Sequence, residues 1–253
     1  MTEKYFNINA EGCSIRCKLC YDELSQVRSA VLFGHGFGGH KDNRAAERFA
    51  RRMLEKNKGC VLMTFNWPCH GDDVRKLLRL EDCDRYLRLA VAWLRERFPE
   101  AALYAYATSF GGYLFLKYLS EHENPFRRVA LRCPAVCMYR VLSGVIMSEE
   151  DRKRLERGKP IQVGFDRKVE IDGALLESLR QADIQQRDFL PLAEDILIFQ
   201  GTKDEVVPPD AVMAFADQNL IECIPVEGAD HRFLDPAKMD FVIAGILAFF
   251  GLR

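Results

Sequence analysis

The sequence lacks a long hydrophobic run, an excess of charge of either sign, and any repeat or low-complexity tract. Its longest apolar stretch, residues 241–252, is about 12 residues, against the roughly 20 that a membrane-spanning helix needs. Lys and Arg number 36 and Asp and Glu 37, for a net charge of −1. Chains that hold nucleic acid or an anionic membrane surface by charge carry a basic excess, so the sequence points away from both partners. The opening MTEKYFNINAEG has no apolar run behind a basic head, so no signal peptide is expected. Disorder is excluded by the 48% hydrophobic content and the even charge mixture. Cysteine is in surplus, with nine residues. An odd number without a secretion signal predicts reduced thiols and a cytoplasmic chain rather than a disulfide framework.

With 253 residues, the chain makes one large domain or two small ones and can bury a sizeable core. The first 25 residues read as a β-hairpin: a short run with Tyr5, Phe6 and Ile8, a turn signal at Asn9-Ala10-Glu11-Gly12, then alternation from Ser14 to Tyr21. Beyond it the period changes. Continuous apolar runs at 30–33, 60–65, 103–107, 129–131, 196–199 and 221–225 alternate with helical patterns at 44–56, 84–98, 110–120, 210–217 and 236–250. Strands alternating with helices predict a mostly parallel sheet with helices on both faces, and the hairpin adds an antiparallel edge. One stretch breaks the rhythm. Residues 133–190 hold a charged run at 148–157, a hairpin pattern at 161–171 and a helix at 173–182. So long a detour predicts an inserted lid, with 1–132 and 191–253 as the core.

Chemistry concentrates where strands end. Ala107-Thr108-Ser109-Phe110-Gly111-Gly112 lies between a strand and a helix, the setting of a nucleophile elbow, which needs small neighbours two before and two after the serine. The other reading is an N-cap serine. The loop Gly34-His35-Gly36-Phe37-Gly38-Gly39 satisfies G-x-G-x-x-G, but Thr64, Phe65 and Asn66 stand where a dinucleotide fold puts its acidic residue. In an acyl-transfer enzyme the same loop supplies one oxyanion-hole N–H, that of Phe37, with Phe110 supplying the other. His35 is expected to shape this loop by hydrogen bonding. A serine nucleophile needs a base and an orienting acid, in the chain order Ser, acid, His. Asp204 in GTKDEVVP and His231 in GADHRF follow the strands at 196–199 and 221–225. Glu205 and Asp230 are rival acids, less well placed.

HGFGG, TSFGG, GTKDEVVP and GADHRF together resemble the α/β-hydrolase superfamily over essentially the whole chain. Within it, the HGF-type loop and the single insertion after the sixth strand resemble bacterial cinnamoyl (feruloyl) esterase-like enzymes, which are close to prolyl-oligopeptidase-type hydrolases. The resemblance implies an eight-stranded sheet, a Ser109–His231–Asp204 triad, a Phe37/Phe110 oxyanion hole, no cofactor and an insertion that roofs the pocket. It also makes His35, Gly36 and Tyr139 the candidate substrate-binding residues. The chain departs from the pattern in having Ala107 where glycine is usual, and Tyr139 is the insertion's one tyrosine.

Other features read as structural. Cys13 and Cys17 share one strand face and Cys20 takes the other, so no metal site is expected there. His70 reads as structural in a loop on the active-site side. The C-terminal helix reads as core packing, with a homodimer contact as the alternative. The sequence thus predicts a serine hydrolase acting on a small-molecule ester, with a small peptidase or a non-catalytic ligand-binding protein on the same fold as alternatives.

Overall fold

The computed structural model describes residues 1–164 and 167–252. In chain order these form β1 (Thr2–Ala10), β2 (Cys13–Tyr21), β3 (Ser29–Gly34), α1 (Arg44–Lys56), β4 (Cys60–Phe65), α2 (Leu80–Arg97), β5 (Ala102–Thr108), α3 (Phe110–Glu121) and β6 (Arg128–Arg132). Then come α4 (Met138–Val141), α5 (Glu149–Glu156), β7 (Ile161–Val163), β8 (Val169–Ile171), α6 (Gly173–Gln181), β9 (Ile196–Gly201), α7 (Pro209–Gln218), β10 (Glu222–Val226) and α8 (Pro236–Phe250). Eight of the strands make one sheet in the order β1-β2-β4-β3-β5-β6-β9-β10. The pairs β1/β2 and β2/β4 are antiparallel and the others parallel. This is the α/β-hydrolase architecture.

The first turn consists of Glu11 and Gly12, with φ of 48° and 70°. Two central residues of positive φ give the type I′ turn, whose twist matches an antiparallel ribbon. The parallel strands are apolar throughout because both faces are covered. On β3, Ala30 and Leu32 join the core under α2 and α3, while Val31 and Phe33 join the core under α1 and α8. Helix α1 starts where the Asn43 side chain accepts from the Ala45 and Ala46 N–H groups. It buries Ala46, Phe49, Ala50, Met53 and Leu54, each large side chain contributing about 2 kcal/mol. Helix α8 buries Met239, Val242, Ile243, Ile246, Leu247 and Phe250 in that same core. Its apolar face is therefore occupied within the chain, and Phe241 remains exposed. Cys13 and Cys17 lie in one core and Cys20 in the other. Among the described residues no helix is long and apolar enough to cross a membrane.

Helix α2 begins at Leu80, four residues before the expected start. Leu80, Asp82 and Cys83 are buried there, and packing rather than a capping side chain fixes the first turn. The reason lies in the segment between β6 and β9. That segment holds the expected charged helix, capped by a Ser148–Asp151 capping box, and the antiparallel pair β7/β8, whose residues 165 and 166 lie outside the described residues. It docks beside the start of α2. The Leu78 N–H donates to the Glu170 carbonyl at 3.1 Å, and Arg79 makes a two-pronged pair with Asp172, at 2.8 and 2.7 Å. Farther on, the Tyr113 hydroxyl donates to the Ala182 carbonyl at 2.9 Å. Ile161, Val163, Val169, Ile171, Leu175 and Leu179 are buried in the core beneath α2 and α3.

Candidate active site

The turn from β5 to α3 is tight, and Ser109 sits in it at φ 52° and ψ −119°. For a serine this backbone is strained, costing on the order of 1–3 kcal/mol, and such strain gathers at functional sites. The neighbours explain why the turn persists. A Cβ on Gly111 would lie 2.5 Å from the Gly34 carbonyl oxygen, and one on Gly112 would lie 2.8 Å from Pro134. Ala107 is fully buried, so a methyl is tolerated two residues before the serine. Backbone bonds tie the turn to β6: Ser109 N–H donates to the Arg132 carbonyl and Ala135 N–H to the Ser109 carbonyl, both at 3.1 Å. The Ser109 side chain makes no cap hydrogen bond, against the N-cap reading.

Instead Ser109 Oγ lies 3.0 Å from Nε2 of His231. Nδ1 of His231 lies 2.8 Å from Oδ2 of Asp204. The neutral arrangement has the serine hydroxyl donating to Nε2 and Nδ1–H donating to the carboxylate. The loops after β5, β9 and β10 carry these three residues, and β5, β6, β9 and β10 lie side by side. A Cβ on Gly201 would lie 2.5 Å from the Ala229 carbonyl, so this glycine lets the Asp204 and His231 loops close on each other.

Asp204 is 7% exposed. Its Oδ1 accepts from the Val206 and Val207 N–H groups at 2.9 and 2.8 Å, and Oδ2 also accepts from Gln200 Nε2 at 3.1 Å. Burial alone would raise its pKa, but the hydrogen bond and charge of His231, the Val207 N–H and the Cys133 thiol outweigh it. The carboxyl is held below its usual range. Cys133 follows β6 at φ 47°. Its thiol and the ligand atoms of Asp204 and His231 lie within 4.8 Å of one another. Burial, then the Asp204 charge, pushes that thiol well above its usual range. The rival acids serve the loop: Glu205 accepts the His231 N–H at 3.4 Å, and Asp230 accepts the Arg232 N–H at 2.7 Å.

Arg132, buried at the end of β6, donates through Nη1 to the Arg232 carbonyl at 3.0 Å and lies over the Phe233 ring. It pins the residue after His231. Neither Gln200 nor Arg132 was singled out from the sequence. The available signal was a polar residue closing each apolar run, Ile196–Gly201 and Arg128–Arg132.

The Gly34–Gly39 loop packs directly on the elbow, and a Cβ on Gly36 would lie 3.1 Å from Ser109 Cβ. Gly38 turns the loop at φ 73°. Phe37 and Phe110 meet edge to face, centroids 5.5 Å apart. The Phe110 N–H opens α3, where a helix has no internal acceptor. His35 is corrected as a substrate contact. It has no exposed surface; Nδ1 bonds the Gly36 carbonyl at 2.8 Å, and Nε2 accepts the Trp67 N–H at 3.3 Å. With both nitrogens engaged by backbone, it shapes the loop. His70 lies behind, stacked on Phe110 and edge-on to Phe37. Tyr139 is 38% exposed on α4. Among the described residues no hydrogen bond joins it to Ser109. The β7/β8 loop touches the Gly34–Gly39 loop: a Cβ on Gly38 would meet the Arg167 carbonyl at 3.1 Å, and one on Gly164 would meet the Phe37 ring at 3.6 Å.

A family model described as serine aminopeptidase, S33, matches residues 25–149. No curated protein sequence matches the chain. The fold is similar to Est1E from Butyrivibrio proteoclasticus, solved with ferulic acid bound, at 16% identity and a TM-score of 0.75, over 97% of this chain and 99% of that one. It is also similar to the esterase domain of a Rhodothermus marinus protein, at 19% identity and a TM-score of 0.72, over 98% of each chain. Mouse alpha/beta hydrolase domain-containing protein 10 gives 15% identity and a TM-score of 0.70, over 99% of each. The eight-stranded architecture is that of the α/β-hydrolase fold, and the segment matched by the family model carries the elbow and the Gly34–Gly39 loop.

Proposed function

We propose that the chain is a cytoplasmic serine carboxylic-ester hydrolase that forms an acyl-enzyme on small acyl or aryl esters, cinnamoyl-type esters among them. The observation that carries this reading is the relay Ser109 Oγ–His231 Nε2–Nδ1–Asp204 Oδ2, at 3.0 and 2.8 Å. His231 takes the Ser109 proton as Oγ attacks the ester carbonyl. The Phe37 and Phe110 N–H groups hold the oxyanion. On collapse the alcohol leaves with the proton from His231. Water, deprotonated in turn by His231, attacks the acyl-enzyme, and the acid departs as Ser109 regains its proton. Asp204 holds the imidazole orientation and stabilises its cation.

The 133–190 segment acts as the lid over the acyl site. Its support is the approach of the β7/β8 loop to Gly38 and Phe37. Gly36 borders the substrate through its backbone, and Tyr139 is the candidate for a polar group on the substrate. The cinnamoyl class draws support from the ferulic acid bound in Est1E.

The test is hydrolysis of p-nitrophenyl acetate by the protein and by Ser109→Ala. Loss of about a thousandfold or more in kcat is expected on removing the nucleophile. Activity retained by the variant would sink the reading. A second reading, cleavage of amino-acid amides, is favoured by the aminopeptidase model that matches residues 25–149. Comparing methyl ferulate, an aliphatic ester and an aminoacyl p-nitroanilide separates the two; preference for the anilide would replace the esterase reading.

A further inference from the structure

We propose that Gln200 is a positioning residue that holds the Asp204 oxygen shared with His231; this rests on the triad reading above. Gln200 closes β9 and is 1% exposed. Its Nε2 faces three acceptors: Asp204 Oδ2 at 3.1 Å, the Gly201 carbonyl at 3.3 Å and the Val207 carbonyl at 3.5 Å. Turning the amide over would set Oε1 against all three, so the donor end is the one that fits. Oε1 is then buried with no partner among the described residues. An orphaned buried acceptor destabilises a fold. A methionine would fill the same space without that cost. The glutamine is kept for its donor end, which serves the Asp204 carboxylate and two main-chain carbonyls.

The two oxygens of Asp204 are fixed differently. Oδ1 is held by the main chain, through Val206 and Val207, whatever side chains those positions carry. Oδ2 is shared between His231 and Gln200. Gln200 is thus the side chain that fixes this oxygen before the imidazole arrives, and it divides the oxygen's electron density. The charged and titratable groups facing the pair are Cys133 after β6, Glu205 in the Asp204 loop and Arg132 beneath the His231 loop. Of these, the Cys133 thiol also favours the Asp204 anion, as a weak sulfur donor; Gln200 supplies the amide donor on Oδ2.

Gln200→Met withdraws the amide donor and leaves His231 as the nitrogen donor on Oδ2 among the described residues. An undivided carboxylate oxygen holds an imidazolium more tightly, so the acidic limb of kcat/KM against pH moves up by about half a unit. With Oδ2 no longer fixed by the amide, the imidazole loses alignment toward Ser109, and this outweighs the firmer hold on its cation, so kcat falls about three- to tenfold. KM stays within about twofold; the melting temperature does not separate the readings, because the orphan acceptor is lost together with the donor to two main-chain carbonyls. A merely structural glutamine would leave the limb and kcat in place whatever happened to the melting temperature. Gln200→Glu, nearly the same shape, keeps a proton there, because burial and the Asp204 carboxylate beside it disfavour a second charge; its hydroxyl then donates to Oδ2, so the limb stays near that of the parent, and the variant serves also if the methionine variant does not fold. An unmoved limb and unchanged kcat in the folded methionine variant would overturn the proposal. If Ser109→Ala keeps its activity, the nucleophile assignment falls separately. Gln200 is then judged on the low-field Nδ1 proton resonance of His231, which Gln200→Met must displace and whose constancy would refute it.

Discussion

His35 and His70 sit side by side behind the Gly34–Gly39 loop, ring centroids 5.3 Å apart and both buried. Burial disfavours the imidazolium, pushing His70 down to about 4 against the opposing Pro68 carbonyl and Asp73, and His35 well below its usual value. An unfolded chain takes up these protons near the ordinary value of 6.5, while the folded chain does not. The unfolded state then binds more protons, so stability rises with pH, and it is lost as pH falls from about 6.5 toward 4. Asp204 and Asp42 are held below their usual range; their loss begins below about pH 4, outside this window. For His70 alone the full loss is about 3 kcal/mol. His70→Phe, an aromatic ring set against Phe37 and Phe110, should flatten the fall in unfolding free energy between pH 7 and pH 5, measured by urea titration. Equal slopes in the two proteins would show that His70 is not its source. Residue chemistry of this kind is only partly legible in a sequence. Chain order and strand ends brought Ser109, Asp204 and His231 into view, and the structure sets them in hydrogen-bonding reach. The partners of Arg132 and His35 lie 100 and 32 residues away, and a buried polar residue at a strand end carries no local mark of the loop it will hold.

At the scale of elements, the segment between β6 and β9 is fastened at named points rather than draped over the sheet. Arg79, just ahead of α2, meets Asp172 with both terminal nitrogens, the fork geometry in which an arginine–carboxylate pair is strongest. Asp172 is also the N-cap of α6, accepting from the Ala174 and Leu175 N–H groups. The two side chains are about one quarter exposed, so the pair contributes about 1 kcal/mol. Arg79→Met keeps the α6 cap and removes the tether. The expected outcome is faster cleavage between β6 and β9 under limited proteolysis, with the sheet core intact, and KM rising more than kcat falls. An unchanged digestion pattern would mean that apolar packing alone holds the segment. The same tether explains why the sequence misplaced the start of α2. Helical periodicity at 84–98 was readable, but the first turn, Leu80 to Cys83, is set by burial against the core shared with β7 and β8, a contact with no trace in the local pattern. Elsewhere, α1 and α8 run over the residues their periodicity indicated, because each lays one apolar stripe on the sheet.

Over the whole molecule, one sheet sorts the chain into two cores and brings its functional loops to one end. The loops after β3, β5, β9 and β10 gather at the carboxyl ends of the parallel strands, where open α/β sheets place their sites. The same sorting governs the nine cysteines. Seven are buried, in both cores, and only Cys69 and Cys223 are partly exposed. Those two are poor nucleophiles. Burial, then Asp73, pushes Cys69 up to about 12, and burial, then Asp217, pushes Cys223 to about 11. A thiolate is the reacting species, so the native protein at pH 8 should react slowly with a disulfide reagent such as DTNB, at no more than two thiols. In guanidinium chloride without reductant all nine should react at once. Fewer than nine in the unfolded protein would reveal a disulfide and overturn the inference of reduced thiols. More than two fast thiols in the native protein would instead mean that one of the two cores opens readily, and which thiols react would name it: Cys20, Cys60 and Cys133 lie beneath α1 and α8, and Cys13, Cys17, Cys83 and Cys137 beneath α2 and α3. The imidazoles of His35 and His70 destabilise the fold as pH falls, so exposure through global unfolding should grow toward acid. Opening of a single core would raise the reactive thiols of that set alone.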